Sequence, residues 1–285
     1  MVRLPSISSN FVESLLKLTR FGNLVIIGFA QYFTAAFLIG KQSIYDFRLL
    51  LLSIATVAIV AAGYIINDYY DVKIDYINKP DRVVIGKDIT RRYAILFHVL
   101  LSALGILIGF YLSWAIATIN LLSVFLLWLY SNFLKRLPFI GNLTVAFLTG
   151  SAIYVVDALY RTHSSLVIIY AIFAFFMTLV REIIKDMEDL RGDNTFGCKT
   201  LPIVLGIRKT KLIIYLLIAA FSVVVVVLDQ LMEVLPFRYS LLFLFIPLLW
   251  FLNRLARADM KKDFSRLSTL CKVIMLLGIV SMAFV

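Results

Sequence analysis

The chain has 285 residues, of which 62% are hydrophobic and 16% charged, and its mean hydropathy is +0.95. These proportions exclude a soluble globular protein, because so much apolar surface cannot be hidden in one core of this length and it recurs in stretches of about 17–20 residues, the length that crosses a bilayer. Cys198 and Cys271 form no C-x-x-C pair and His98 and His163 are far apart, which excludes a disulfide framework, thiol redox chemistry and a His/Cys metal site; any metal must be held by oxygen.

In chain order, Pro5 to Arg20 carries Ile7, Phe11, Leu15 and Leu18 at helical spacing among polar residues, which predicts an amphipathic helix in the membrane interface. A cleavable signal peptide is not expected, since no small-residue cleavage site follows a short apolar core. Nine membrane spans follow, at about 22–40, 49–66, 93–112, 114–133, 139–157, 165–184, 211–231, 239–256 and 267–285. The fold class expected is an all-α polytopic membrane protein forming a single domain.

Nine spans sort the basic residues. Of the 28 Lys and Arg, 22 fall on one side of the membrane, four on the other (Lys41, Arg48, Arg161 and Arg238), and Arg181 and Lys272 inside predicted spans. The positive-inside rule then places the N-terminus in the cytoplasm and the C-terminus outside. The net charge of +11 reflects this topology and contact with anionic lipid headgroups, and it calls for no nucleic acid.

Only 17 residues are acidic, and they concentrate in two windows. Tyr64 to Asp75 reads YIINDYYDVKID and Glu182 to Asp193 reads EIIKDMEDLRGD; aligned without a gap, both read x-I-I-x-D-x-x-D-x-x-x-D. Each copy ends an even-numbered span, in the same orientation. This predicts a parallel duplication of a four-helix unit, about 22–133 and 139–256, followed by a ninth helix at 267–285. On a helix, residues i, i+3 and i+7 fall within about 60° of arc, so Asp68, Asp71 and Asp75 point one way, as do Asp186, Asp189 and Asp193. Like charges on one stripe near a membrane need a cation to hold them, and oxygen-only clusters suit Mg²⁺ completed by substrate phosphate. Solvated aspartates at helix ends are the bland alternative, disfavoured by the identical spacing of the copies. Lys79, Arg82, Lys135, Arg136, Lys185 and Arg191 lie on the same face, where basic side chains and metal together clamp a departing diphosphate.

With these features in view, the chain resembles the UbiA superfamily of intramembrane prenyltransferases over nearly its whole length. The first motif, N-D-x-x-D-x-x-x-D, is seen in Asn67, Asp68, Asp71 and Asp75, and the second in Asp186, Asp189 and Asp193. Tyr130, Ser131 and Lys135 match the family's Tyr-Ser followed by Lys, and Gly197 to Pro202 matches its G-x-x-T-L-P stretch. The window from Arg181 to Asp193 looks more like digeranylgeranylglyceryl phosphate synthases than like 4-hydroxybenzoate prenyltransferases. After the first motif, Lys79 and Val83 depart from the usual N-R-P-x-R-P, while Arg82 keeps the diphosphate contact. The resemblance implies a nine-helix bundle with a central cavity open laterally to lipid.

It also implies that Asn67, Asp68, Asp71 and Asp75 hold one Mg²⁺ and Asp186, Asp189 and Asp193 another, both bridging the diphosphate of a long prenyl donor. Lys135 and Arg82 neutralise the leaving group, Tyr130 and Arg20 contact substrate, and an aspartate of the second motif serves as base toward an alcohol acceptor. A cavity rich in Phe, Tyr and Met is expected to hold the chain and exclude water. The acceptor expected is geranylgeranylglyceryl phosphate, with an aromatic quinone or tetrapyrrole precursor as the alternative; a cation transporter is the reading outside the enzymes, disfavoured because no acidic set lies at mid-depth. Arg20 stands equally as a headgroup anchor. Arg181 and Glu182 are open to a supporting role, an acceptor-phosphate role or a helix-end charge pair. Asp157 and Lys272 are expected to snorkel from span ends, and His98 and His163 to pack or sit at the interface.

Overall fold

The structure, a computed structural model, describes residues 9–232 and 245–285. Among the described residues the chain is helical, with one isolated bridge between Ile85 and Ile89. α1 is Ser9–Leu18 and α2 Phe21–Phe33, the latter prolonged by a π turn over Thr34–Ile39. The bundle continues with α3 Phe47–Asn78, α4 Arg91–Leu112, α5 Trp114–Asn132, α6 Ile140–Tyr160 and α7 Ser165–Glu188. A short α8, Leu190–Thr195, precedes α9 Leu201–Met232, α10 Ile246–Ala256 and α11 Lys261–Ser281.

Eight described helices are long and apolar enough to cross a bilayer, and α10 is a shorter apolar helix. The first part of the expected eighth span, at 239–244, lies outside the described residues, as do Arg238, Arg3 and Pro5–Ser8. Element order agrees with the nine-span reading, with two corrections: α3 continues to Asn78, twelve residues past the expected span, and α9 begins at Leu201, ten residues before its expected span, and bends at Gly206, whose φ of 78° is open to glycine without steric cost.

Polar residues set the helix starts. Asp46, Thr90 and Ser113 accept hydrogen bonds from the backbone N–H of Arg48, Tyr93 and Ile116, opening α3, α4 and α5. Asp157 does not snorkel. It is 2% exposed and accepts from Thr162 Oγ1 at 2.5 Å and Ser164 N at 3.0 Å, closing the turn from α6 to α7. His98 packs as expected, its Nδ1 3.0 Å from the Ala62 carbonyl.

Burial separates the helices into two classes. In the most apolar window of α3 and α7, 67% and 61% of residues are buried, against 17% and 22% in α4 and α5. The two helices carrying the aspartate motifs are therefore the inner pair. α3 packs against α4 and α5, and α7 against α6, α9 and α11, while outward residues such as Leu107, Tyr111 and Trp114 remain exposed for lipid. Gln31 ties the halves together, its amide donating to Thr56 Oγ1 at 3.0 Å and the Ala152 carbonyl at 2.9 Å, so α2, α3 and α6 meet at one buried group.

The apolar face of α1 meets protein: Phe11, Leu15 and Leu18 pack against Ile65, Val84, Ile85 and Ile89, leaving Val12 and Leu16 exposed. This contact also stiffens the segment after the first motif. Val83, Val84, Ile85 and Ile89 are buried there, so the absence of proline at position 83 leaves an anchored loop.

Candidate active site

The first motif lies on continuous helix. Asn67, Asp68, Asp71 and Asp75 all fall within α3, so their shared face is as the spacing requires. Each of the next contacts comes from another element. Arg20, in left-handed conformation between α1 and α2, donates to Asp68 Oδ1 at 2.7 Å and lies 4.7 Å from the Tyr64 ring centroid. Lys135, in the 3-10 turn after α5, sits 2.5 Å from Asp71 Oδ1 with both side chains largely buried. Arg20 is thus held by a motif aspartate and lines the cavity. Burial opposes its charge and Asp68 favours it, and the balance holds the guanidinium pKa above its ordinary value.

The second motif is not one helical stripe. α7 ends at Glu188, Asp189 takes a non-helical cap conformation, and Asp193 stands on α8. Asn78, the last residue of α3, holds this break: its Nδ2 donates to the Asp189 carbonyl at 3.1 Å and its Oδ1 accepts from Gly192 N at 3.0 Å. Gly192 is required there, because a Cβ would strike the Asn78 amide. Lys261, at the start of α11, adds a hydrogen bond to the Asn78 carbonyl at 2.9 Å.

The side chains of the second motif are held across the bundle. Asn142 on α6 donates to Asp186 Oδ2 at 2.9 Å. Lys79, the residue after α3, forms an ion pair with Asp189 Oδ2 at 2.6 Å, so a cation following the first motif binds a carboxylate of the second. Its charge also acts on both Asp75 and Asp193. Burial, reinforced by the charges of Asp189 and Asp71, pushes the Asp193 carboxyl up to about 7. An acidic cluster in that condition favours positive charge.

Among the described residues no three acidic, His or Cys side chains stand close enough to hold a metal ion as placed. The donors nevertheless fit Mg²⁺ by type, being oxygens alone, and two buried oxygens of the motifs, Asn67 Oδ1 and Asp189 Oδ1, have no hydrogen-bond partner among the described residues. Lys79, Lys135 and Arg20 occupy the carboxylates on which a divalent cation would act.

A cavity of about 230 Å³ opens beside the first motif. Tyr64, Asn67, Tyr130, Arg20, Glu182 and Lys185 line its polar end, and Ile27, Ile59, Val60, Leu127, Leu148 and Met275 its apolar walls. Of the expected Phe, Tyr and Met, the cavity has Tyr64, Tyr130 and Met275, while among the described residues no phenylalanine lines it and its other apolar walls are aliphatic; many phenylalanines, among them Phe21, Phe29, Phe110, Phe125 and Phe147, face outward. Ser131 is buried and donates back to the Leu127 carbonyl at 2.8 Å, turned from the cavity. Arg82 is exposed, outside the cavity lining and without an ion pair among the described residues. Lys272 does not snorkel: it lines the cavity and donates to Asn23 Oδ1 at 3.2 Å.

Asn78, Asn142 and Asn23 were not singled out from the sequence as site residues. Their one signal is an amide within or at the end of an apolar run, where an uncompensated polar group is costly and so marks an internal contact.

Comparison with known proteins agrees with this geometry. The model of the UbiA prenyltransferase family matches residues 29–277. The digeranylgeranylglyceryl phosphate synthase of Natronomonas pharaonis is 39% identical over 223 residues, 77% of this chain and 76% of that one. The protein of the same description from Methanothermobacter thermautotrophicus is 39% identical over 164 residues, 58% of each chain. A solved structure described as giving insight into digeranylgeranylglyceryl phosphate synthase in membranes superposes with a TM-score of 0.72 at 25% identity, covering 97% of this chain and 100% of that chain. A UbiA homolog from Archaeoglobus fulgidus, solved bound to DMAPP and Mg²⁺, has the same fold, with a TM-score of 0.69 at 16% identity over 95% of this chain and 100% of that chain. The family match runs from the first membrane helix into the last and through both aspartate motifs, and the chain belongs to the UbiA prenyltransferase family.

Proposed function

We propose that this protein transfers a long prenyl group from its diphosphate to the free hydroxyl of geranylgeranylglyceryl phosphate, in the synthesis of an ether lipid. The observation that carries the reading is the 2.6 Å pair between Lys79 and Asp189, which brings the end of one motif onto the other, with Asn67 of the first motif lining an apolar cavity. The two synthases described above support the acceptor, and the Archaeoglobus fulgidus homolog supports donor class and metal. The excess of basic residues on one face supports a cytoplasmic site, in the plasma membrane.

In this mechanism Asn67, Asp68, Asp71 and Asp75 would hold one Mg²⁺ and Asp186, Asp189 and Asp193 a second. When bound, the metal neutralises the diphosphate and makes it a better leaving group. Lys135 and Lys79, fixed against Asp71 and Asp189, meet negative charge as it grows on the departing oxygen. Asn142 and Asn78 keep Asp186 and Asp189 in place. Tyr130 lies on the cavity wall, where it would contact the reacting end of the donor, and the aliphatic walls would keep water from capturing the carbocation. Pockets that enclose a whole drug-sized ligand span roughly 300–1,000 Å³. At about 230 Å³ this cavity encloses the reacting end of a long donor, so the remaining chain leaves toward lipid.

The test is to incubate the purified protein with Mg²⁺ and geranylgeranyl diphosphate and, separately, with geranylgeranylglyceryl phosphate or an aromatic acid, detecting product by mass spectrometry. A doubly prenylated glyceryl phosphate, lost in Asp71→Ala and Asp189→Ala, is expected; product with the aromatic acid alone would overturn the acceptor assignment.

A further inference from the structure

The polar end of the cavity holds more positive charge than a diphosphate clamp at the motifs employs. Arg181 and Lys185, on α7, share a single carboxylate, Glu182, at 2.7 and 3.0 Å. Lys272, reaching in from α11, meets no carboxylate among the described residues and donates to the neutral Asn23 amide. Asn23 is itself oriented by its hydrogen bond to Tyr64 OH at 3.3 Å. Arg181, Lys185 and Arg20 line the same cavity as Lys272. Arg181 Nε is buried and has no hydrogen-bond partner among the described residues.

Arg181 and Lys185 share one ion-paired carboxylate and Lys272 pairs with none among the described residues, so even with Asp186 beside Lys185 an excess of positive charge sits on membrane-spanning helices, a costly arrangement unless an anion joins it. A phosphate monoester at neutral pH carries about −1.5 to −2, which offsets such an excess, and the open Nε edge of a guanidinium suits its oxygens. Tyr64, which orients Asn23, stands four residues before Asp68, and Glu182, which holds Arg181 and Lys185, four residues before Asp186, so these two groups lie about 6 Å farther along both helices than the first aspartate of each motif, with Lys185 at the boundary beside Asp186.

We propose that Arg181, Lys185 and Lys272, with Asn23 positioning the lysine, form a binding site for the phosphomonoester of the lipid acceptor. The proposal rests on prenyl transfer to a glyceryl phosphate. Phosphate and free hydroxyl then share one three-carbon backbone, and anchoring the phosphate at the deep cluster directs the hydroxyl toward the diphosphate end, where the allylic carbon is presented.

The test measures binding to the full-length protein in nanodiscs, with metal chelated, of geranylgeranylglyceryl phosphate and of its dephosphorylated form; donor binding is measured separately with Mg²⁺. The wild type is expected to prefer the phosphorylated lipid, and Lys272→Gln to weaken that lipid by about tenfold, the loss of one charged hydrogen bond. The dephosphorylated lipid and geranylgeranyl diphosphate should bind the variant as they bind the wild type, which also reports an intact fold, and Lys272→Arg should restore the preference. An unchanged preference in both Lys272→Gln and Arg181→Gln would overturn the site, as would an equal loss of donor affinity, which would return the cluster to the diphosphate. Displacement by inorganic phosphate at equal concentration would overturn its assignment to a lipid phosphomonoester. Product formation by the wild type is scored separately: product with an unchanged preference in the variants sinks this site alone, whereas phosphate-selective binding without product sinks the transfer reading alone.

Discussion

Asn78→Ala isolates what the cross-motif clamp contributes. The substitution removes the hydrogen bonds to the Asp189 carbonyl and from Gly192 N, and Gly192 is buried, so its N–H loses a partner that water does not replace. An unsatisfied buried donor costs about 1–3 kcal/mol and a lost neutral hydrogen bond about 1 kcal/mol, giving a local cost of about 3 kcal/mol. That cost shifts the balance between the ordered and frayed α7–α8 break by about a hundredfold. Asp189 and Asp193 flank the break, so kcat/KM for the prenyl diphosphate should fall by about ten- to a hundredfold and the Mg²⁺ midpoint should rise. The assay is steady-state release of diphosphate across a Mg²⁺ titration. Asn78→Asp keeps an acceptor for Gly192 N while losing the donor to Asp189, and should fall between wild type and alanine. Wild-type kcat/KM and an unchanged Mg²⁺ midpoint in Asn78→Ala would refute the clamp.

Gly192→Ala presses a Cβ into the Asn78 amide, and overpacking of this kind costs about 1–3 kcal/mol, so it should reproduce the rise in Mg²⁺ midpoint without removing any side chain of the clamp. Lys135→Met leaves Asp71 without its cation and should lower kcat by about 10²-fold, an effect visible in single-turnover product formation. Asp157→Ala strips the acceptor from Thr162 and Ser164 at the far end of the bundle. It should cost about 2–3 kcal/mol and lower the thermal midpoint in detergent, with kcat/KM for the donor unchanged. Chelation of divalent metal should abolish turnover while circular dichroism retains the helical signal, since the described helices are held by apolar packing and internal hydrogen bonds.

Sequence determined a good deal here because the relevant physics is local. Membrane spans are written as uninterrupted apolar runs, since hydrocarbon tolerates no unpaired backbone, and these runs placed the described helices to within a turn or two, apart from the early start of α9 and the extension of α3 to Asn78. The aspartate triplets were legible for the same reason: a helix converts i, i+3 and i+7 into one face, and α3 obeys that rule through Asp75. The rule failed at Asp189, where α7 breaks, because the break is set by the distant Asn78. Lys272 and Asp157 were assigned to the interface for want of a visible partner. Their partners, Asn23 for the lysine and Thr162 with Ser164 for the aspartate, supply the hydrogen bonds that let each stay inside. Tertiary structure alone decided which cation meets which carboxylate: Lys79 crosses to Asp189, Lys135 to Asp71 and Arg20 to Asp68, over separations of 110, 64 and 48 residues. Composition states that charges must be compensated in a medium of low dielectric, and the packing of α3 against α4, α5 and α8, and of α7 against α6, α9 and α11, chooses the partners.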